Sequence, residues 1–317
     1  MTKMFLNELS LPPHLRASVK CLNNACYNII IIMESYQPRS KSFEQYIQIG
    51  YEFASGKKLS EKELTILENI SDIDTSIIKI DDILDNEQYR NGQKCIHLID
   101  GIEKTIINAR LDEINGVHAL TDLIEFRKSF PSFSYEILKV FNNEYMRGIY
   151  EGQKIDKGLE EENNITDETL DKYFLMTKKF TGGHIRYGLE IGQLLAGKIP
   201  DKNVSLIAEL LGINRQIIDD FEDYFKAHHY PFGDIKRGAK RIPEILFTLQ
   251  GGNRAIVLEK IEKKDFAGII ELVLNKDVRN SLYLYAKENI DSCKKIETSF
   301  DYSQISVDIG QLLNKEV

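Results

Sequence analysis

Apolar residues recur at three- and four-residue intervals along nearly the whole chain, the spacing that lines one face of an α-helix. Helices are predicted over about residues 15–34, 41–54, 61–86 and 99–115, then 119–130, 135–153, 167–196 and 203–225. Shorter helices fill the C-terminal quarter. Punctuation agrees: Gly56 follows one helix, Thr166 caps another whose first turn carries Asp167 and Glu168, and Gly197 ends it ahead of Pro200. No run alternates with a period of two, and no linker or short repeat interrupts the pattern. The expected fold is all-α, with residues 1–317 forming a single-domain helical bundle around a central cavity.

Two of these helices carry one acidic pattern, Asp81-Asp82-Ile83-Leu84-Asp85 and Asp219-Asp220-Phe221-Glu222-Asp223. On a helix the first and fifth residues share a face and the second lies beside them, so each copy projects three carboxylates toward one spot. Such a cluster is unfavourable unless it is solvated, protonated or neutralised by cations. A lone acidic run is ordinarily a solvated face. Here Ile77, Ile78 and Ile80 precede the first cluster and Ile213, Ile217 and Ile218 the second, which draws both helices toward the core. Oxygen-only ligands favour Mg²⁺, shared between carboxylates, water and substrate phosphate. Two facing clusters would make a metal-mediated clamp for a diphosphate.

Composition narrows the partners. The chain is 42% hydrophobic and 28% charged with a net charge of −8, which argues against nucleic acid or an anionic membrane as the main partner. An anionic substrate would need bound cations to reverse that field. Cys21, Cys26, Cys95 and Cys293 have neither zinc spacing nor disulfide density and read as reduced thiols of a cytoplasmic protein. The N-terminus does not read as a signal peptide, and the apolar stretch 27–33 is too short to span a bilayer. Gly56-Lys57-Lys58 lacks P-loop spacing, and His228-His229 has no third ligand at zinc spacing. The run from Glu160 to Asn164 reads as a solvated loop, and Tyr173 and Phe174 read as core or pocket wall.

The stretch IDDILDNEQYRNGQKCIH, with its trailing Arg90, Gly92 and His97, resembles the first aspartate-rich motif of the trans-isoprenyl diphosphate (polyprenyl) synthases. RQIIDDFEDYF resembles the second, with Gln216 three residues before Asp219. Gly152-Gln153 with Asp156, Thr181-Gly182, and GDIKRGAKRIPEIL match in order and spacing, over roughly residues 20 to 250. The resemblance implies a homodimeric all-α enzyme using three Mg²⁺ per active site. Asp81, Asp82 and Asp85 would share metal with Asp219, and Asp220 and Asp223 would complete the second cluster. Arg90, Lys179, Thr181, Gln216 and Lys240 would surround an allylic prenyl diphosphate. Arg39, Lys41 and His97 would face isopentenyl diphosphate or another acceptor.

Departures from the pattern concentrate at the second substrate. The family's Gly-Gly-Lys-Arg-x-Arg-Pro segment is replaced by residues 36–42, leaving Arg39 and Lys41, and its paired arginines become Arg90-Asn91. The lysine expected beside Thr181 is Phe180, with Lys178 and Lys179 upstream; the one expected after the second motif is Ala239, beside Lys240. Arg215 replaces a phenylalanine and reads equally as a phosphate partner or a surface residue. Three readings remain: an elongating prenyltransferase, which the residual Arg39, Lys41, Arg90 and His97 favour; a terpene synthase or a prenyltransferase to another acceptor; and a regulatory subunit. Ser76, Ile77 and Ile73, one and two turns before Asp81, supply no aromatic floor, which favours a product of about twenty carbons or more.

Overall fold

The computed structural model describes residues 42–90, 93–128, 131–162, 164–225, 234, 237–307 and 309. The predicted helix at 15–34, Cys21 and Cys26, Arg39, Lys41, Gly92 and His228-His229 lie outside them.

The described chain is built almost wholly of helices: α1 (Phe43–Ser55), α2 (Glu61–Glu68), α3 (Asp72–Leu84), α4 (His97–Asp100) and α5 (Ile102–Phe126). They are followed by α6 (Pro131–Lys139), α7 (Arg147–Glu161), α8 (Asp167–Thr177), α9 (Gly183–Leu195) and α10 (Lys202–Asp223). The C-terminal part holds α11 (Ile242–Leu249), α12 (Arg254–Glu262), α13 (Phe266–Val273) and α14 (Lys276–Lys295). The expected termini are present, with Gly56 and Gly197 at φ of 66° and 73°, values open to glycine at little cost. At Thr166 the backbone N–H donates to Thr169 Oγ1 at 3.0 Å, half of a capping box.

Four expectations are corrected. The helix predicted over 61–86 is broken by a 3-10 turn, Asn69–Ser71. The two helices predicted around residues 99–130 are one helix, α5, running through Gly116. That glycine is there for packing: a Cβ on it would strike the Ile73 side chain of α3. Glu160 and Glu161 belong to α7, not to a solvated loop. A short antiparallel pair, β1 (Tyr89–Arg90) with β2 (Gln93–Lys94), follows the first acidic motif.

The helices bury three apolar clusters. One unites α1, α2, α3, α5 and α9 around Phe43, Ile73, Leu120 and Ile191. A second joins α8 and α10 to the C-terminal helices around Tyr173, Ile217 and Ile245. The third, around Leu189, Ile207 and Cys293, ties α1, α9, α10 and α14. Both acidic motifs thus sit on helices anchored in core, as the isoleucines imply. Two π-helical segments, Val140–Met146 and Lys178–Gly182, join α6 to α7 and α8 to α9. The second lies against α10 so closely that a Cβ on Gly212 would run into Gly182 Cα. That contact sets the height of Thr181 beside the second motif. Among the described residues no helix is long and apolar enough to cross a membrane.

Candidate functional site

Each acidic motif occupies the last turn of its helix: Asp85 is the C-terminal cap of α3, and α10 ends at Asp223. A helix C-terminus carries partial negative charge, so these carboxylates deepen a field already attractive to cations. The protein answers that field differently at the two sites.

At the first, the answer is charged side chains from distant segments. The β1–β2 pair folds Arg90 back so that its Nε donates to Asp82 Oδ1 at 2.6 Å and its NH2 reaches Asp81 Oδ2 at 3.4 Å. Asp82 is buried, with Arg90 on one oxygen. Asp85 Oδ1 accepts from Lys157 of α7 at 2.7 Å, and its Oδ2 accepts from Arg237 at 2.8 Å. Lys157 also donates to Glu160 at 2.8 Å, and Arg237 to Asp234 at 3.0 Å. Arg241 binds Asp234 at 2.7 Å and Asp156 at 2.6 Å. Burial pushes the Asp81 carboxyl up to about 7, with Asp85 adding to the rise and Arg90 and Arg241 opposing it. Asp85 is raised by burial as well, against the pull of Lys157 and Arg237.

At the second, the answer for Asp220 is mainly neutral donors. Asp220 is fully buried; its Oδ2 accepts from the Tyr173 hydroxyl at 2.8 Å and the Ile242 N–H at 3.2 Å, and its Oδ1 from Gln216 Nε2 at 2.7 Å. Gln216 Oε1 in turn accepts from Thr181 Oγ1 at 2.5 Å, so the expected pair Thr181 and Gln216 is brought together. Burial raises Asp220 to about 7, although Arg241, Gln216 and Tyr173 all favour its ionised form. Asp219, one position earlier, is partly exposed and takes Arg215 Nε at 3.1 Å. Arg215 is therefore a half-buried partner of the motif, not a surface residue. Asp223 is exposed.

The segment from Arg237 to Ile242 touches both motifs: Arg237 pairs with Asp85, and the Ile242 N–H donates to Asp220 Oδ2. Lys179, Lys240 and His97 make no hydrogen bond to either motif. Lys179 pairs with Glu151 at 2.6 Å on the partly exposed side of α7. Lys240 is buried and turned inward; its Nζ donates to the carbonyls of Gly238 at 2.5 Å and Glu160 at 3.5 Å. Its pKa is lowered by burial first and by Arg254 second. His97 is buried, and neither ring nitrogen has a hydrogen-bond partner. Ser76, Ile77 and Ile73 are buried below Asp81, with no aromatic ring at those positions.

Sequence reasoning missed Lys157, Glu160, Arg237 and Arg241 as parts of the site. The signal was present in part, since Lys157 directly follows Asp156 and the two arginines flank Lys240. A metal has a suitable donor set here: single oxygens of Asp85, Asp156 and Glu160 all lie within 4.8 Å of one another. Carboxylate oxygens alone suit Mg²⁺ better than softer ions.

The chain is similar to several known proteins. It is 30% identical over 191 residues to a geranylgeranyl pyrophosphate synthase of Emericella nidulans, covering 58% of this chain and 45% of that one. It is 25% identical over 208 residues to an IDS-like terpene synthase of Melampsora larici-populina, covering 64% of this chain and 61% of that one. Both matches thus span less than two thirds of the relative's own length. The fold is similar to the crystal structure of geranylgeranyl pyrophosphate synthetase from Pyrococcus horikoshii, with a TM-score of 0.68, 18% identity, and coverage of 94% of this chain and 91% of that one. The polyprenyl synthetase pattern matches residues 36–272, most of the chain, and the protein belongs to the polyprenyl synthetase family.

Proposed function

We propose that the chain is a Mg²⁺-dependent trans-prenyltransferase that ionises an allylic prenyl diphosphate and condenses it with isopentenyl diphosphate, forming a product of geranylgeranyl length or longer. The observation that carries this reading is the pair of aspartate motifs on the last turns of α3 and α10, both contacted by the segment that opens α11, through Arg237 on Asp85 and the Ile242 N–H on Asp220. Bound Mg²⁺, three ions per site, would neutralise the leaving diphosphate and so favour cleavage of its bond to the allylic carbon.

The chain's own residues have separate tasks in this reading. Asp81, Asp85 and Asp219 offer partly exposed oxygens to the metal. Asp82, with Arg90 on its carboxylate, holds the loop that follows α3. Asp220 fixes α8, α10 and the start of α11 to one another through Tyr173, Gln216 and the Ile242 N–H. Gln216 and Thr181 keep the π segment in register with the motif. The absence of an aromatic ring at Ser76, Ile77 and Ile73, one and two turns before Asp81, supports a long product.

We place the enzyme in the cytoplasm as a homodimer. Support for the dimer comes from α5, which exposes Ile102, Ile106, Ile107, Leu111 and Ile114 along one side. A row of that size is unusual on a surface that faces only water. The second reading, a terpene synthase on the same scaffold, is favoured by the Melampsora relative and by Asn91 and Ala239, where phosphate-binding cations were expected.

Product analysis separates the two. Protein is incubated with Mg²⁺ and geranyl, farnesyl or geranylgeranyl diphosphate, with and without isopentenyl diphosphate. Longer linear diphosphates that require isopentenyl diphosphate are expected. Hydrocarbons or alcohols formed without it would replace this reading with the terpene synthase, and no conversion of any substrate would remove both.

A further inference from the structure

The chain lacks two cations that its motifs lead one to expect, at Asn91 and Ala239, yet it carries two unexpected ones on the first motif. Lys157 and Arg237 approach opposite oxygens of a single carboxylate, Asp85, at 2.7 and 2.8 Å. They come from different parts of the chain, α7 and the segment before α11. Their side chains are 28% and 16% exposed, so neither is an unconstrained surface charge. Glu160 bridges them from the other side, at 2.8 Å from Lys157 and 3.3 Å from Arg237.

We propose that Lys157 and Arg237 are diphosphate-binding residues held in store on Asp85, and that metal and diphosphate release them by exchange. This rests on the prenyl diphosphate reading given above. Charge matching drives the exchange. A carboxylate already satisfied by two cations cannot also give both oxygens to Mg²⁺. When the metal takes Asp85, Lys157 and Arg237 lose that partner, and the incoming diphosphate supplies replacement oxygens of the same charge type. Asp234 keeps Arg237 near the site throughout, at 3.0 Å from its NH1. Lysine and arginine reach the site from two directions, so the grip does not depend on the neutral Asn91.

The exchange makes a signature that a purely structural ion pair lacks. Lys157 and Arg237 compete with Mg²⁺ for Asp85 when no diphosphate is present and assist binding when it is. Calorimetric titration of the full chain tests this with Mg²⁺ alone and with inorganic pyrophosphate at saturating Mg²⁺. Lys157→Met and Arg237→Met are each expected to weaken pyrophosphate binding by about tenfold or more, the loss of a charge-assisted contact. The same variants are expected to bind Mg²⁺ alone as tightly as wild type or more tightly, and Arg237→Lys to recover part of the pyrophosphate affinity. Circular dichroism melts identify any variant that has merely lost its fold. Unchanged pyrophosphate affinity in both folded variants would overturn the exchange. So would a parallel loss of Mg²⁺ and pyrophosphate affinity with a lowered melting temperature. Wild-type protein that binds no pyrophosphate with Mg²⁺ would instead overturn the underlying functional reading, and the exchange with it.

Discussion

The two aspartate motifs share a spelling and a position on their helices but not a chemistry. On α3, Asp82 and Asp85 are met by Arg90, Lys157 and Arg237, all fully charged donors. On α10, Asp220 is met by a tyrosine hydroxyl, a glutamine amide and a backbone N–H. The first arrangement suits exchange, because its cations are long side chains that keep partial exposure. The second is a buried hydrogen-bonded clamp whose loss would leave several polar groups without partners. Identical carboxylate spacing therefore supplies one motif that can rearrange around a ligand and one whose central residue holds helices together.

The largest expected effect would break the comparison at its shared function. Asp81→Ala or Asp219→Ala should lower turnover by about a thousandfold or more, the scale of removing a transition-state charge stabiliser. Helix content by circular dichroism should stay near wild type in both. Full activity of either variant at saturating substrate and Mg²⁺ would refute a joint metal site.

Stability should then separate the motifs. Tyr173→Phe removes a donor from the buried Asp220 carboxylate and should cost about 1.5–3 kcal/mol, read from denaturant midpoints at constant m. Lys157→Met removes a 28% exposed partner from Asp85, whose carboxylate keeps Arg237 on its other oxygen, so its cost should stay below about 1 kcal/mol. The reverse order would erase the distinction between clamp and exchangeable pair.

The smallest effect is in pH dependence. Burial pushes the Asp81 and Asp220 carboxyls up to about 7, well above the ordinary aspartate range. A raised carboxyl favours the folded state while protonated, so its contribution is fully present below the unfolded value and is lost as pH rises toward about 7. Ligand-free protein should thus lose stability across that window, and Asp220→Asn should flatten the slope. An unchanged slope in Asp220→Asn would show that Asp220 does not titrate there.

How much of this was readable before folding depends on distance along the chain. The acidic faces and their isoleucine flanks are local patterns, and they located both ends of α10 and the end of α3 to within two residues, though not the 3-10 turn that starts α3 late. Gly56 and Gly197 announced helix ends because only their left-handed backbone was needed. Gly116 lies in the break predicted between residues 115 and 119, yet it sits inside α5 and serves the contact with Ile73, which no local pattern encodes. Lys157, Arg237 and Arg241 were hidden for a similar reason. Their partners Asp85, Glu160, Asp234 and Asp156 come together only when α3, α7 and the approach to α11 converge. Lys240 was chosen from its position beside Ala239, but burial turns it toward two carbonyls.

The central claim is that both motifs hold one metal–diphosphate assembly. A crystal structure with Mn²⁺ and an unreactive allylic thiolodiphosphate tests it directly, since anomalous scattering locates each ion. The account predicts ions bridging the diphosphate to Asp81 and Asp85 on one side and Asp219 on the other, with Lys157 and Arg237 moved from Asp85 to phosphate oxygens. Metal bound at one motif alone, with the diphosphate elsewhere, would contradict it.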